Sequence, residues 1–385
     1  MRRVGELAFV AAVRDALPWS FIGLAVAFTA ILGEQLLTGT GPTSPSLGLR
    51  VAAALLPSFG IMAATLVVIL AIKLAGTTRY ALPPLLVGSA GAFALSLPRP
   101  FGPDPIAYLR YLGASGLFIA ILACGVTAGW IAVARRLRAP LPDWIGALLG
   151  LGTFAALAAF HVSLPAAITG AIEPVARLGD TYVALLVIVF IETLLWTAGV
   201  HGPAMLAAIV TPVYLTMQLQ NTHAFTLHAP LPYIVVVSLF LFVFPGGAGA
   251  TLPLAALFAI SAVPRLRRVG RMTLVPALFN LNEPLLFAAP VVFNPHLVIP
   301  FVAAPLVLST VTYVAVASGL VARAAFYVPS SVPTFVSTYL ATLDPRAIAL
   351  AALNIVLATL IYYPFVRAYE RHVLSLESPQ DDVRR

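Results

Sequence analysis

Between Phe279 and Pro295 the chain reads F-N-L-N-E-P-L-L-F-A-A-P-V-V-F-N-P. It places the carboxylate Glu283 among three amides, Asn280, Asn282 and Asn294, in otherwise apolar sequence. Such a cluster is expensive to bury unless its hydrogen-bonding groups meet each other or a ligand. Pro276, Pro284, Pro290 and Pro295 each lack an N–H, so a straight membrane-spanning helix does not fit, and a broken or re-entrant element does. Irregular backbone at membrane depth survives where it is packed in protein or lines a wet cavity, and transporters build midplane sites from such breaks. The segment is therefore read as a binding hairpin. The other reading of Glu283 places it at the cytoplasmic interface, capping a helix or pairing with Arg271.

Three further positions carry chemistry. His201 stands in W-T-A-G-V-H-G-P, where Gly199, Gly202 and Pro203 interrupt an apolar run and allow close approach to the backbone; a packed, hydrogen-bonded imidazole is its alternative. Phe244 to Leu254, F-P-G-G-A-G-A-T-L-P-L, is a glycine-rich break that serves either close helix packing or a cavity faced by Thr251. Glu192 lies mid-helix without a positive neighbour in sequence, as a proton-linked group or one hydrogen-bonded inside the bundle. His223 and His228 have no accompanying carboxylate or cysteine and make no metal site. The single cysteine, Cys124, reads as a small core residue, and the single lysine, Lys73, rules out a phosphate-binding glycine loop, so no metal and no cofactor are expected.

The elements that must position these residues are apolar helices. Hydrophobic residues make up 61% of the 385 residues and charged residues 9%, with a mean hydropathy of +0.99, against roughly 25% charged residues in soluble domains. A pI near 9.9 could suggest nucleic acid, but the arginines fall in short clusters between apolar runs, so no nucleic-acid partner is expected. The start of the chain has no signal-peptide layout, because Arg14 and Asp15 interrupt it. Runs long enough to span cover 17–37, 50–72, 80–98, 109–134, 143–165, 180–200, 203–220, 231–262, 296–320 and 346–366, leaving 272–295 and 326–342 as re-entrant hairpins. With the N-terminus cytoplasmic, sixteen of the 22 Lys and Arg fall inside and six outside, which supports ten spans with both termini cytoplasmic. The expected fold is an all-α integral membrane protein with about ten transmembrane helices and two re-entrant hairpins. A division near residue 170 separates a Gly/Ala-rich half from one carrying Glu192, His201 and Glu283.

These residues resemble the membrane-embedded enzyme IIC component of bacterial phosphotransferase systems, in the lactose, cellobiose and N,N'-diacetylchitobiose group. The resemblance is carried by F-N-L-N-E-P at 279–284, P-V-V-F-N-P at 290–295 and I-P-F-V-A-A-P-L-V at 299–307. G-V-H-G at 199–202, G-G-A-G-A-T-L at 246–252, S-G-L-V at 318–321 and Y-Y-P-F at 362–365 support it. It implies the enzyme IIC fold of the glucose superfamily, a homodimer in the bacterial cytoplasmic (inner) membrane, and an elevator-like mechanism. The implied domains are residues 1–170 for dimerisation, 171–370 for transport and 371–385 as a cytoplasmic tail. It also implies sugar contacts from Glu283 and His201, with Gly202, Asn280 and Asn282 beside them. A carboxylate accepting from paired hydroxyls, with amides and an imidazole adding donors, suits a neutral sugar.

Two departures stand out. Val275, Pro276 and Ala277 replace the family's two prolines and glycine, and Val328-Pro329 is followed by Ser330, Ser331, Val332 and Pro333 where relatives place a tryptophan. Ser330 and Ser331 become candidate sugar contacts in its stead. The expected function is a permease for a β-linked disaccharide such as cellobiose or diacetylchitobiose, coupled to phosphorylation by separate cytoplasmic enzyme IIB and IIA chains, with Glu283 as the proton-accepting catalytic group. A phosphotransfer-independent sugar carrier or sugar sensor is the alternative, and an ion-coupled transporter resting on Glu192 is a third reading.

Overall fold

The computed structural model describes residues 2–38, 47–97, 115–197, 202–289, 291 and 294–377. In chain order the helices are α1 (Arg2–Thr38), α2 (Leu47–Thr78), α3 (Leu82–Leu95), α4 (Ser115–Arg136), α5 (Pro142–Ala159), α6 (Leu164–Gly179), α7 (Tyr182–Thr197) and α8 (Gly202–Thr226). They continue as α9 (Phe240–Val243), α10 (Leu252–Ala259), α11 (Pro264–Leu278), α12 (Glu283–Ala288), α13 (Pro295–Ala317), α14 (Thr334–Thr342) and α15 (Arg346–Glu377). No strand occurs among the described residues. Six helices there are long and apolar enough to cross a membrane, or seven if the bent pair of α6 and α7 is one span.

The chain divides into two compact units, residues 1–177 with 207–229, and residues 178–206 with 230–385. In the first unit α2 is central, packed on α1, α3 and α4. Phe59, Met62, Leu66, Leu70 and Leu74 recur at helical spacing along it, and all are fully buried or nearly so. Small residues let the neighbouring helices cross closely: a Cβ on Gly146 of α5 would stand 2.4 Å from Ile131 Cα of α4. Where α4 turns into α5, Arg135 forks onto Asp143 through Nε–Oδ1 at 2.6 Å and Nη2–Oδ2 at 2.7 Å. Asp143 Oδ2 also accepts the Ala81 N–H at 2.7 Å, so one ion pair fastens the entrance of α3 to this turn. Cys124 is fully buried in the same core.

In the second unit α13 packs on α7 and α15, while α15 also packs on α10 and α14. Phe242, Phe258, Phe301, Phe326 and Tyr362 fill its core. Asn354 in mid-α15 donates to Phe242 O at 3.0 Å and Thr312 Oγ1 at 2.9 Å, drawing α9, α13 and α15 together.

The apolar run 231–262 is not one helix. Pro232, Pro245 and Pro253 each remove a ladder donor, and Gly246, Gly247 and Gly249 adopt positive φ, so the run breaks into α9 and α10 around a loop. Over 272–278 the chain is the second half of α11, with Pro276 inside the helix, and the irregular stretch begins at Phe279. In 326–342 an extended arm returns onto α14, where the Ala325 and Phe326 N–H groups both donate to Ala341 O. Ser238 clamps that arm by donating to Phe326 O at 2.8 Å and accepting from the Val328 N–H at 3.3 Å.

Candidate functional site

Three irregular segments of the second unit meet at Asn280. Helix α11 ends in a Schellman turn: the Asn280 N–H donates to Ala277 O and the Leu281 N–H to Pro276 O. Asn280 occupies the left-handed position of that turn at φ +58°, which asparagine tolerates better than branched residues. Its side chain therefore points away from α11, and each of its hydrogen-bonding groups is used. Oδ1 accepts from the Gly246 N–H at 2.7 Å and from Thr334 Oγ1 at 3.1 Å. Nδ2 donates to Ser330 O at 2.7 Å and Val332 O at 3.0 Å. One amide thus pins the glycine loop, the N-L-N-E-P turn and the tip of the 326–342 hairpin.

The glycine loop needs its residue types. Gly247 has φ +94°, and a Cβ there would lie 2.8 Å from Asn280 O and 2.9 Å from Asn282 Cγ. Gly249 has φ +87°, and its Cβ would meet Phe301 at 2.1 Å. Within the loop Gly247 N–H donates to Phe244 O, Ala250 N–H to Gly247 O and Leu252 N–H to Pro245 O. Asn282 donates to Ala248 O at 2.7 Å, and the Tyr362 hydroxyl to Gly249 O at 2.7 Å. Thr251 is fully buried and donates to Gly246 O at 2.6 Å, so its hydroxyl is spent on the loop.

Glu283 opens α12 directly after this brace and is half-buried. Ser330 and Ser331 are exposed at the hairpin tip. Asn294 caps α13, accepting from the His296 N–H at 3.0 Å. His201 lies outside the described residues. Gly202, its neighbour, is buried at the start of α8, where a Cβ would stand 2.1 Å from Glu192 O. Glu192 itself is 8% exposed, with no hydrogen bond or ion pair to its carboxylate among the described residues. Among the described residues no three His, Cys, Asp or Glu side chains are grouped to hold a metal ion.

Asn280, Asn282, Glu283, Ser330 and Ser331 are thus neighbours around one brace, with both asparagines committed to backbone groups. Sequence reasoning passed over Thr334, Tyr362, Asn354 and Ser238. Asn354 carries a legible signal, a lone amide in the apolar heart of α15; the others are ordinary hydroxyls whose partners lie more than fifty residues away.

Residues 50–305 match the model of the family described as phosphotransferase system, EIIC. The chain is 30% identical over 345 residues to the lichenan permease IIC component of Bacillus subtilis (strain 168), covering 80% of this chain and 76% of that protein. It is 31% identical over 370 residues to the cellobiose-specific EIIC component of Geobacillus stearothermophilus, covering 85% and 80%. A match to the putative permease IIC component YwbA of Bacillus subtilis (strain 168) is 37% identical but takes in only 53% of this chain and 47% of that protein. The fold is similar to the crystal structure of the transporter ChbC, the IIC component from the N,N'-diacetylchitobiose-specific phosphotransferase system, with a TM-score of 0.80 at 23% identity over 97% of this chain and 96% of that one. With that fold, and with the matched region taking in both the glycine loop and the N-L-N-E-P turn, the chain belongs to the EIIC family of phosphotransferase-system sugar permeases, which are integral membrane proteins.

Proposed function

We propose that the chain binds a β-linked disaccharide, such as cellobiose or diacetylchitobiose, at Glu283 and carries it across the bacterial cytoplasmic membrane. A separate enzyme IIB, recharged by enzyme IIA, then phosphorylates the sugar. The observation that carries this reading is the Asn280 brace, which gathers the glycine loop, the N-L-N-E-P turn and the hairpin tip beside a half-buried carboxylate. The naming of relatives for lichenan and cellobiose supports the β-glucoside class.

In this reading Glu283 accepts hydrogen bonds from paired sugar hydroxyls, and His201 and Gly202 are further sugar contacts. Asn280 and Asn282 act by holding the loops, since their donors already face Ser330 O, Val332 O and Ala248 O. Ser330 and Ser331 contact the distal ring. In phosphoryl transfer the sugar oxygen forms a bond to phosphorus as the bond to the partner's cysteine sulfur breaks. Glu283 takes the hydroxyl proton.

The same proposal includes ten spans with both termini cytoplasmic, re-entrant hairpins at 272–295 and 326–342, and an elevator-like excursion of residues 171–370. Residues 1–170 form the dimer contact, and residues 371–385 the cytoplasmic tail. A second reading rests on the exposed Ser330 and Ser331 at a tip where the family resemblance leads one to expect a tryptophan. There the scaffold serves as a carrier or sugar sensor without phosphotransfer. A thermal-shift screen of the detergent-purified chain against mono- and disaccharides tests the site, because a ligand that binds only the folded state stabilises it as ln(1 + [L]/Kd). A β-disaccharide should raise the melting temperature of the wild type and not of Glu283→Gln. An equal shift in both would sink the assignment of Glu283.

A further inference from the structure

Helix α11 carries two opposite stripes. At about 100° per residue, Leu266, Gly270, Thr273 and Ala277 fall on one side, and all four are buried. There α11 lies against α10, so close that a Cβ on Gly270 would stand 2.2 Å from Ala259 N. The opposite stripe, about 140° wide by the same spacing, holds Arg265, Arg268, Arg271, Met272, Val275 and Leu278, and every one is exposed. Arg267, off this stripe, donates to Ser261 O and Ala262 O and fixes how the chain enters the helix. The three arginines on the stripe have no carboxylate partner among the described residues.

The outer stripe changes character along its length. Its first half is cationic over about 9 Å, and its second half is hydrocarbon over a similar rise. Met272 is 72% exposed and Val275 60%. A purely basic face would be a solvated one or a seat for an acidic soluble protein. A face that passes from guanidinium to hydrocarbon within two turns matches the depth at which lipid headgroups give way to acyl chains. Arginine also forks onto phosphate oxygens bidentately.

We infer that the outer face of α11 is a binding site for an anionic phospholipid, with the lipid phosphate held by Arg265, Arg268 and Arg271 and an acyl chain lying along Met272, Val275 and Leu278. None of its residues touches the Asn280 brace in the hydrogen bonds above, although Met272, Val275 and Leu278 belong to the helix that leads into it.

The test is native mass spectrometry of the full chain with phosphatidylglycerol and with phosphatidylcholine of the same acyl chains. The variants are R265Q/R268Q/R271Q, the charge-matched control R136Q/R138Q/R371Q, the Arg→Lys version of the first set, and M272S/V275S. Wild type and control should retain phosphatidylglycerol over phosphatidylcholine. The triple glutamine variant should lose that preference by about a hundredfold, the sum of about 1 kcal/mol for each of three basic residues near an anionic surface. The lysine version should recover most of it, and M272S/V275S should weaken both lipids. Equal loss in the control would reduce the effect to net charge, and unchanged retention in the glutamine variant would overturn the site. Unchanged lipid retention together with lost binding of a soluble enzyme IIB would overturn it in favour of a protein docking face.

Discussion

Asn280→Asp is the sharpest perturbation of the brace, because it keeps the shape while removing the amide donors and adding a negative charge. The new carboxylate still accepts from the Gly246 N–H and the Thr334 hydroxyl. The oxygen replacing Nδ2 faces Ser330 O and Val332 O, to which the native amide donates at 2.7 and 3.0 Å. Two neutral hydrogen bonds at about 1 kcal/mol each amount to about 2 kcal/mol of local stability, before any repulsion between carboxylate and carbonyls. At about 1.4 kcal/mol per tenfold, that is about 30-fold more frequent opening of the hairpin tip. Hydrogen exchange read by mass spectrometry resolves this, since the Val332, Val336 and Ser337 N–H groups are bonded inside the tip, to Pro329 O and Pro333 O. Asn280→Asp should accelerate exchange in 330–337 and leave 244–252 at the wild-type rate. Asn280→Ala, which also strips the Gly246 N–H of its acceptor, should accelerate both. Wild-type exchange of the tip in Asn280→Asp would refute the idea that this amide joins the segments.

Further consequences are independent of that one. Gly247→Ala forces a side chain into φ +94° against Asn280 O and should cost about 1–3 kcal/mol, lowering both thermal stability and disaccharide binding; unchanged behaviour would mean the loop is free to relax. Asp143→Asn should weaken the fork from Arg135, and because that guanidinium is partly exposed the loss should be only about 1 kcal/mol of thermal stability, with sugar binding intact. Asp344 is buried, which alone would raise its pKa, but bonds from the Arg346 side chain and from the Ala322 and Arg346 N–H groups outweigh that and hold the carboxyl below its usual value. Its stabilisation is therefore present above the ordinary carboxylate pKa, near pH 4, and disappears as pH falls through the lowered folded value. Unfolding curves of wild type and Asp344→Asn should differ at neutral pH and converge in acid, and a constant gap would contradict the assignment.

How much of this could be read beforehand varies with the physics. The long apolar runs of α2, α4, α13 and α15 are visible because helix hydropathy is a local property. The break at Phe244–Leu254 was legible for the same reason, from two prolines and three glycines in one short stretch. Asn280 and Asn282 stood out as costly amides, but sequence spacing could not reveal that their donors are spent on backbone carbonyls 34 to 52 residues away. The position of Asn280 at a helix C-terminus is hidden too, because the prolines from Pro276 to Pro295 read as one broken hairpin over 272–295, whereas the helix runs on to Leu278. Thr334, Ser238 and Tyr362 were silent, since a hydroxyl in an apolar run carries no mark of its partner. Glu283 stands next to the brace and is half-buried, and its role in sugar binding is a proposal that the Glu283→Gln variant tests.

The most direct test of the central claim is uptake of a labelled β-disaccharide into proteoliposomes holding the purified chain, with phosphorylated enzyme IIB inside or left out. Coupled transport predicts that label accumulates as sugar phosphate only when the phosphorylated partner is enclosed, and that Glu283→Gln abolishes accumulation. Equal entry of unmodified sugar with and without the partner would contradict the phosphotransfer account and leave a carrier on the same scaffold.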